Sequence, residues 1–333
     1  MSEPGFLIVR LGSLGDIVHT LPAAAALRST FPGSRIAWLA DERWRVLVES
    51  SGVVGQFQPV GIRSWSSLRR AVTTLWRTRW ACAIDFQGLW KSAILTRLSR
   101  APRRIGFDWR VTREFGVAMF YTDRVAPAAK HIADQNGELA LRAGASRAAA
   151  EFHFRVPEQD SRRMDEWRRE RSIGKYGVIS PGGGWRAKCW PPARYGELCS
   201  WIEKQLGVQC VVNIGPGDEP LANEMQAMAA GTEMIVHRGS LGELMALMSR
   251  ASFVVGGDTG PVHLAVALGT PVVALYGPTD PARNGPYSSR DIALRAPGAV
   301  TSHKRRTEHD PSMLAISVEL VQDAIHKRLG SEQ

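Results

Sequence analysis

Short apolar runs that end at glycine-containing turns recur along this chain, and they constrain its fold more than any other feature. Runs rich in Val, Ile and Leu, such as residues 6–10 and 176–180, each lead through a turn into a helical pattern. Continuous apolar runs are typical of strands that are buried on both faces of a parallel sheet. The sequence therefore predicts an α/β fold built from repeated strand, loop and helix units.

The runs form two series, which a highly charged stretch over residues 158–175 separates. A chain of 333 residues exceeds the size at which one hydrophobic core usually stops growing. We therefore predict two domains, residues 1–160 and 175–310, followed by a terminal helical segment over residues 311–333. The predicted strands are residues 6–10, 35–40 and 82–85 in the first series, and residues 176–180, 209–214, 253–256 and 272–276 in the second.

The excess of basic residues indicates an anionic partner. Lys and Arg number 42 against 32 Asp and Glu, which gives a formal net charge of +10. Nucleic acid, an anionic membrane surface and a phosphorylated or acidic substrate all fit this charge, and net charge alone does not separate them.

The cysteines and the amino terminus indicate a reducing compartment. None of the four cysteines shows metal-ligand spacing, so we expect free thiols and no zinc site. The first apolar run is interrupted by Arg10, Gly12 and Asp16, which is not typical of a signal peptide. No apolar stretch approaches about 20 residues, so we expect any membrane contact to be peripheral.

The first loop, residues 12–16, places Ser13 and Asp16 between a buried strand and a helix. Free N–H groups at the start of a helix favour an anion or a polar substrate group. Asp16 fits two roles, a helix cap and a general base. The loop lacks the third glycine of the dinucleotide fingerprint, so an NAD site is disfavoured.

Residues 257–263 form a second candidate site. The backbone amides of Thr259 and Gly260 are placed to point at a phosphate, and His263 follows one turn into the next helix. The alternative is that Asp258 or Thr259 only caps this helix and that His263 belongs to the core.

Residues 182–191 add two cations directly after a strand. Lys188 or Arg186 would neutralise the charge on a departing diphosphate, a role that other enzymes give to a divalent metal. We find no Asp-x-Asp pair near a strand end and expect no metal. An exposed basic loop is the alternative.

The amino-terminal half also carries residues suited to an acidic acceptor, because guanidinium groups bind carboxylates and phosphates with two hydrogen bonds. For any single arginine, a solvated surface position is the alternative. These residues are the segment 85–92 with Gln87 and Lys91, and the arginines Arg63, Arg103, Arg104, Arg110 and Arg113.

Several motifs together resemble glycosyltransferase family 9, the ADP-heptose:lipopolysaccharide heptosyltransferases, and within it most closely the heptosyltransferase I branch. The resemblance implies a GT-B fold, in which two Rossmann-like parallel-sheet domains face each other across a cleft. It also implies that the C-terminal helix returns to the first domain. The motifs are residues 7–10, 15–22, 85–92, 106–109, 112–114, 188–191, 257–263 and 276–280.

The resemblance further implies an inverting, metal-independent transfer of heptose from ADP-heptose to a Kdo residue of Kdo2-lipid A, with no cofactor. The first domain would bind the acceptor and the second the nucleotide sugar. The enzyme would be cytoplasmic, at the cytoplasmic face of the inner membrane, with no nucleic acid as partner. The implied roles are Asp16 as the base, Lys188 as a catalytic and donor-binding residue, Ser13, Glu219, Asp258, Thr259, Gly260 and His263 as donor-binding residues, and Arg63, Gln87, Lys91 and Arg113 as acceptor-binding residues.

One departure from the family bears on the acceptor. Ser64, Ser66 and Ser67 stand where the family carries basic residues after the position of Arg63. One alternative is therefore a family 9 enzyme with another acceptor, such as a heptosyltransferase II-like enzyme or a protein heptosyltransferase. The other is a non-catalytic module that binds a nucleotide sugar or nucleic acid.

Overall fold

The computed structural model describes residues 5–61, 65–302, 304 and 307–330. The chain divides into two compact units, and the boundary between them along the sequence lies between Arg155 and Val156. Each unit contains one six-stranded sheet in which every strand pair is parallel. The predicted α/β class, with a parallel sheet in each half of the chain, is confirmed. Within the described ranges, no helix combines the length and the apolar character needed to cross a membrane.

The sheet of the first unit has the strand order β3-β2-β1-β4-β5-β6. Its strands are β1 (Gly5–Val9), β2 (Arg35–Ala40), β3 (Gln56–Pro59), β4 (Cys82–Asp85), β5 (Arg103–Phe107) and β6 (Asp123–Val125). Its helices are α1 (Leu14–Val18), α2 (Leu21–Thr30), α3 (Arg45–Ser50), α4 (Trp65–Trp76), α5 (Trp90–Leu98) and α6 (Ile132–Ala143), with short 3₁₀ helices at Glu42–Trp44 and Val117–Phe120.

Strand β1 lies at the centre of this sheet, between β2 and β4. All five of its residues are buried, which explains why its sequence, GFLIV, is apolar throughout. The strand order reverses direction between β1 and β4, and ligands of open parallel sheets bind outside the carboxyl ends of strands at such a point. The loops that follow β1 and β4 therefore form the predicted binding edge of this unit.

The second unit repeats this arrangement with the order β12-β11-β10-β7-β8-β9, which reverses between β7 and β10. Its strands are β7 (Tyr176–Ser180), β8 (Gln209–Asn213), β9 (Ile235–His237), β10 (Val254–Gly257), β11 (Val272–Tyr276) and β12 (Ile292–Arg295). Its helices are α7 (Glu158–Glu170), α8 (Pro192–Trp201), α9 (Glu219–Met228), α10 (Leu241–Ser249), α11 (Gly260–Ala267), α12 (Pro281–Asn284), α13 (Pro311–Leu314) and α14 (Val318–Gly330), with a short 3₁₀ helix at Arg186–Lys188 and a π-helical segment, Ile202–Leu206, after α8.

The C-terminal helix, α14, packs its apolar face on the second unit. The packing that we find for α14 is against α8, β11 and β12, all in the second unit. Val321 and Ile325, one helical turn apart, are buried in the core of this unit. Arg328 pairs with Asp291 at 2.8 Å between two buried side chains. The apolar face of α14 and this ion pair fix the helix to the second sheet.

Candidate active site

The loop after β1 carries Asp16 to the binding edge of the first sheet. Gly12 begins the turn with φ of 149°, a conformation that other residues rarely adopt. A Cβ added at Gly12 would lie 2.7 Å from Trp44 Nε1, so the turn has no space for a side chain. Helix α1 then begins, and Asp16 is in its first turn.

Two neighbours hold the Asp16 carboxylate. Arg10 NH2 lies 2.5 Å from Asp16 Oδ1, and the backbone N–H and the hydroxyl of Ser13 each donate to Asp16 Oδ2 at 3.0 Å. The Arg10 side chain is 6% exposed, whereas that of Asp16 is 44% exposed. Asp16 therefore caps α1 and also presents an accessible carboxylate.

The electrostatics of this centre favour the ionised form of Asp16. Burial by the surrounding protein raises the pKa of Asp16, but the charge of Arg10 and the hydrogen bonds from Ser13 outweigh it. The pKa of Asp16 consequently lies below its ordinary value. A carboxylate that is ionised and accessible can accept a proton from a hydroxyl group.

Arg10 joins this carboxylate to the loop after β4. Its guanidinium donates to the carbonyl oxygen of Phe86, and its own carbonyl accepts from Trp38 Nε1 at 3.1 Å. In the same place, the N–H of Leu11 donates to Gln87 Oε1 at 2.9 Å. The adjacent loops of β1 and β4 are thus connected into one centre, defined here as the Asp16 centre.

A second centre lies where β7 and β10 end. Lys188 Nζ donates to Asp258 Oδ2 at 2.6 Å, and the other carboxylate oxygen, Oδ1, lies 3.1 Å from His263 Nε2. The Lys188 side chain is 12% exposed, and the other two are buried. Lys188 Nζ also lies 4.3 Å from the centroid of the Trp185 ring, a cation–π contact. These residues define the Lys188 centre.

Asp258 is the anion that holds the Lys188 centre together. Burial raises its pKa, but the hydrogen bond with His263 and the charge of Lys188 reverse this effect, and the pKa lies well below its usual range. The ionised carboxylate fixes the Lys188 ammonium next to the start of α11. A fixed cation beside free helix N–H groups is suited to binding a phosphate or stabilising a departing one.

Comparison with known proteins decides the family. The profile of Glycosyltransferase family 9 (heptosyltransferase) matches residues 68–313. The chain belongs to this family. It is 30% identical over 307 residues to lipopolysaccharide heptosyltransferase 1 of Salmonella typhimurium, which covers 87% of this chain and 94% of the relative.

Solved structures agree with this assignment. The structure of Escherichia coli heptosyltransferase WaaC with ADP-2-deoxy-2-fluoro heptose matches with a TM-score of 0.75 and 26% identity, covering 97% of this chain and 99% of that one. Escherichia coli ADP-heptose lps heptosyltransferase II has a TM-score of 0.80 at 22% identity, covering 98% and 99% of the two chains. This chain is therefore a glycosyltransferase with the fold of the heptosyltransferases.

Apart from Glu219, the predicted donor-binding residues of this glycosyltransferase lie in the Asp16 centre, in the Lys188 centre or at the start of α11. Ser13 belongs to the Asp16 centre. Asp258 and His263 belong to the Lys188 centre, where the Nε2 contact of His263 is with Asp258. Thr259 is the extended N-cap of α11, and Gly260 is its first residue, so their amides stand at the helix start.

Glu219 occupies a more exposed position than the Lys188 centre. It is the first residue of α9, and its carboxylate pairs with Arg238 NH1 at 3.1 Å. The preceding residue, Asp218, accepts from Gly215 N at 3.0 Å, and a Cβ added at Gly182 would lie 2.7 Å from Asp218 Oδ2. The loops after β7 and β8 are therefore in contact, which keeps Glu219 at the same sheet edge.

The predicted acceptor-binding residues are only partly brought together. Gln87 belongs to the Asp16 centre, whereas Lys91, on α5, and Arg113, in the loop before residues 117–120, are exposed. Arg63 lies outside the described residues. Arg186, the other cation considered for the diphosphate, is exposed. All four cysteines are free, as expected.

The sequence alone gives no individual role to two residues that organise the Asp16 centre, Arg10 and Asp85. Arg10 was recognised only as part of a motif, although a cation at the end of an apolar strand is the signal that a buried partner exists. Asp85 is fully buried. Its carboxylate accepts hydrogen bonds from the N–H groups of Gln87 and Gly88 at 2.8 and 3.1 Å and from the Tyr121 hydroxyl at 2.7 Å. Burial raises the pKa of Asp85, and those hydrogen bonds offset only part of the effect. It fixes the turn that places Gln87.

Replacing Arg10 tests the electrostatics of the Asp16 centre. In Arg10→Met, the loss of the guanidinium raises the pKa of Asp16, so the base is protonated over a wider acidic range. We expect the acidic limb of the kcat/KM profile to move to higher pH by about one unit or more. Initial rates measured across pH, with circular dichroism as a check of folding, give the result.

Arg43→Met is the matched control, because Arg43 pairs with Asp41 at 3.1 Å on the surface of the same unit. Its pH profile should equal that of the wild type, and Arg10→Lys should recover part of the shift. An unmoved acidic limb in folded Arg10→Met would contradict the role that we assign to Arg10.

Proposed function

We propose that this glycosyltransferase moves L-glycero-D-manno-heptose from ADP-heptose to a Kdo residue of Kdo2-lipid A, in the synthesis of the lipopolysaccharide inner core. The observation that carries the proposal is that the two units carry centres of complementary chemistry, an accessible, ionised Asp16 in the first and a fixed Lys188 cation in the second. The Salmonella relative is named lipopolysaccharide heptosyltransferase 1, and the Escherichia coli WaaC structure contains an ADP-heptose analogue. Both names support this donor and this product class.

In the proposed reaction, Asp16 accepts the proton of the acceptor hydroxyl while that oxygen forms a bond to the anomeric carbon of heptose. The bond between the anomeric carbon and the diphosphate oxygen breaks, and ADP leaves with the bonding electrons. Lys188 and the amides of Thr259 and Gly260 stabilise the negative charge on the departing ADP. Attack from the face opposite the diphosphate inverts the anomeric configuration.

The remaining predicted residues have supporting roles in this proposal. The first unit, residues 1–160 in the predicted division, binds the acceptor, and residues 175–310 bind the nucleotide sugar. We assign Arg63, Gln87, Lys91 and Arg113 to the anionic acceptor because amide and cationic groups bind carboxylates and phosphates. Ser13, Glu219, Asp258 and His263 complete the donor site, with Glu219 on the adenosine ribose. The proposed location is the cytoplasmic face of the inner membrane.

A donor and acceptor panel tests the reaction. We expect purified protein with ADP-heptose and Kdo2-lipid A to give a product heavier by one heptose in mass spectrometry, and a β-configured donor to give an α-configured product. Kdo2-lipid A that already carries heptose, and a peptide acceptor, are the comparison arms. Transfer only to one of those acceptors would overturn the acceptor assignment and favour a heptosyltransferase II-like enzyme or a protein heptosyltransferase.

We also propose that the transfer needs no metal, because Lys188 supplies the positive charge that a divalent cation gives to other transferases. EDTA treatment followed by dialysis should leave kcat unchanged within about twofold, since no step of the proposed mechanism depends on a metal ion. Initial rates before and after treatment, and after addition of Mg²⁺ or Mn²⁺, provide the measurement. Loss of turnover with EDTA and its recovery with either metal would contradict the proposal.

A further inference from the structure

The first unit exposes a group of large apolar side chains around the start of α5. Phe115 is 95% exposed and Met119 is 62% exposed, and Trp90 and Ile94 are also exposed. Scattered apolar residues are ordinary on a protein surface, whereas a contiguous group marks an interaction site. These four side chains therefore indicate an interaction site only if they lie close together.

Contacts of Trp90 bring the segment that carries Phe115 and Met119 to the start of α5. Trp90 N donates to Glu114 Oε2 at 2.5 Å, and a Cβ added at Gly116 would lie 3.1 Å from the Trp90 ring. Phe115 stands between these two contact residues. The Trp90 ring also meets the Phe120 ring edge-on, with centroids 5.6 Å apart, next to Met119.

Helix α5 continues this surface along one face. Trp90, Ile94 and Arg97 follow at spacings of four and three residues, so they share one exposed stripe. Ala93, which lies beside this stripe on the helix, is buried in a cluster with Val117 and Ala118 of the loop. The apolar stripe and the loop thus form one surface, which we define as the Trp90 surface: Trp90, Ile94, Phe115 and Met119.

The segment that carries the Trp90 surface is rich in cations. Residues 87–122 contain seven Lys and Arg residues and only two acidic residues, Asp108 and Glu114. Both acidic side chains accept backbone N–H groups, Asp108 from Arg110 at 3.2 Å and Glu114 from Trp90. The cations are Lys91, Arg97, Arg100, Arg103, Arg104, Arg110 and Arg113.

We propose that the Trp90 surface docks this enzyme on an anionic lipid bilayer. Aromatic and aliphatic side chains enter the interfacial layer, and the flanking arginines bind the anionic headgroups. Exposed apolar side chains in a cation-rich segment match a bilayer better than they match nucleic acid, which does not offer an apolar layer. The inference deepens the membrane contact in the proposed function, and it rests on that proposal only for the nature of the lipid-linked acceptor.

Vesicle binding tests the apolar part of the surface. The full-length protein is sedimented with vesicles of phosphatidylcholine, with and without phosphatidylglycerol. Phe115→Ser/Met119→Ser should lower the partition coefficient about tenfold or more, because two apolar side chains no longer leave water. Met228→Ser/Leu320→Ser, which replaces two exposed apolar residues of the second unit, should bind as the wild type does.

Charge variants test the cationic part. Arg97→Gln/Arg110→Gln should weaken binding to anionic vesicles by about fivefold per cation and leave binding to neutral vesicles unchanged. Arg162→Gln/Arg169→Gln makes the same change in net charge on exposed residues of α7 and should have little effect. Equal losses in the α7 control would show that net charge, rather than this surface, governs binding, and would overturn the proposal.

Two further readouts separate the possible outcomes. The proposal would be overturned if Phe115→Ser/Met119→Ser bound vesicles as strongly as the wild type does. It would also be overturned if sedimentation velocity showed that the wild type is a dimer without lipid and that this variant is a monomer. Transfer to a soluble Kdo acceptor should stay at the wild-type rate in the variant. Failure of the wild type to transfer heptose would contradict the proposed reaction while leaving the vesicle result intact.

Discussion

Asp16→Asn is expected to lower kcat by about two orders of magnitude or more, the usual contribution of a positioned general base. The amide keeps the shape of the carboxylate and still accepts a hydrogen bond from Ser13 N, now 3.0 Å from Asp16 Oδ2. It cannot take the acceptor's proton. The affinity for ADP-heptose should change little, so titration calorimetry with the donor and initial rates with the acceptor separate binding from turnover.

The control must separate chemistry from folding, because Asp16→Asn leaves the buried Arg10 without its ionic partner. Asp16→Asn/Arg10→Met removes both charges and should fold as the wild type does, yet stay inactive. Asp41→Asn is the matched surface change, since Asp41 also caps a helix and pairs with an arginine. A folded Asp16→Asn protein that keeps more than about a tenth of the wild-type turnover would contradict the base assignment.

The strands that could be predicted from the sequence are those at the centres of the two sheets. β1, β7, β10 and β11 are buried at every residue, so their apolar runs are continuous and easily recognised. β3, with sequence QFQP, lies at an edge and is exposed at both of its ends. The edge strands β6, β9 and β12 are also short and only partly buried, which leaves no comparable apolar signal.

β5 was missed for a different reason. It lies inside the sheet between β4 and β6, but it begins with Arg103 and Arg104. The sequence reasoning assigned those arginines to a possible acceptor site. Arg104 donates to the carbonyls of Phe120 and Ala101 at 2.9 and 2.8 Å, and Arg103 pairs with Asp123 at 3.3 Å. Both cations satisfy nearby backbone and side-chain acceptors, a use that sequence alone does not distinguish from ligand binding.

The sequence predicts that the candidate site residues lie at sheet edges, but it does not predict which of them contact each other. Parallel sheets bring loops after strands to one edge, so Asp16, Lys188 and Asp258 could be placed at sheet edges from the pattern of strands and glycine turns. The contact between Lys188 and Asp258 spans 70 residues and depends on β7 and β10 being adjacent. That adjacency is a property of strand order, which the local sequence does not encode.

Lys188→Met is expected to lower kcat by about 10²–10³-fold, the effect of removing one preorganised group that stabilises charge in a transition state. The proposed role of Lys188 is to offset the charge that develops on ADP as the glycosidic bond breaks. Turnover should therefore fall more than ground-state affinity for ADP-heptose. Single-turnover rates with saturating donor, compared with donor affinity from calorimetry, measure the two quantities separately.

The same substitution leaves Asp258 as a buried carboxylate with His263 as its remaining partner, so lower stability alone could reduce the rate. Lys188→Met/Asp258→Asn removes this uncompensated charge, and we expect it to recover thermal stability without recovering turnover. Lys204→Met replaces an exposed lysine of the same unit and should behave as the wild type does. If the double variant regained turnover together with stability, the role of Lys188 would be to balance the charge of Asp258. The leaving diphosphate would then have to be stabilised by other groups, first of all the amides of Thr259 and Gly260.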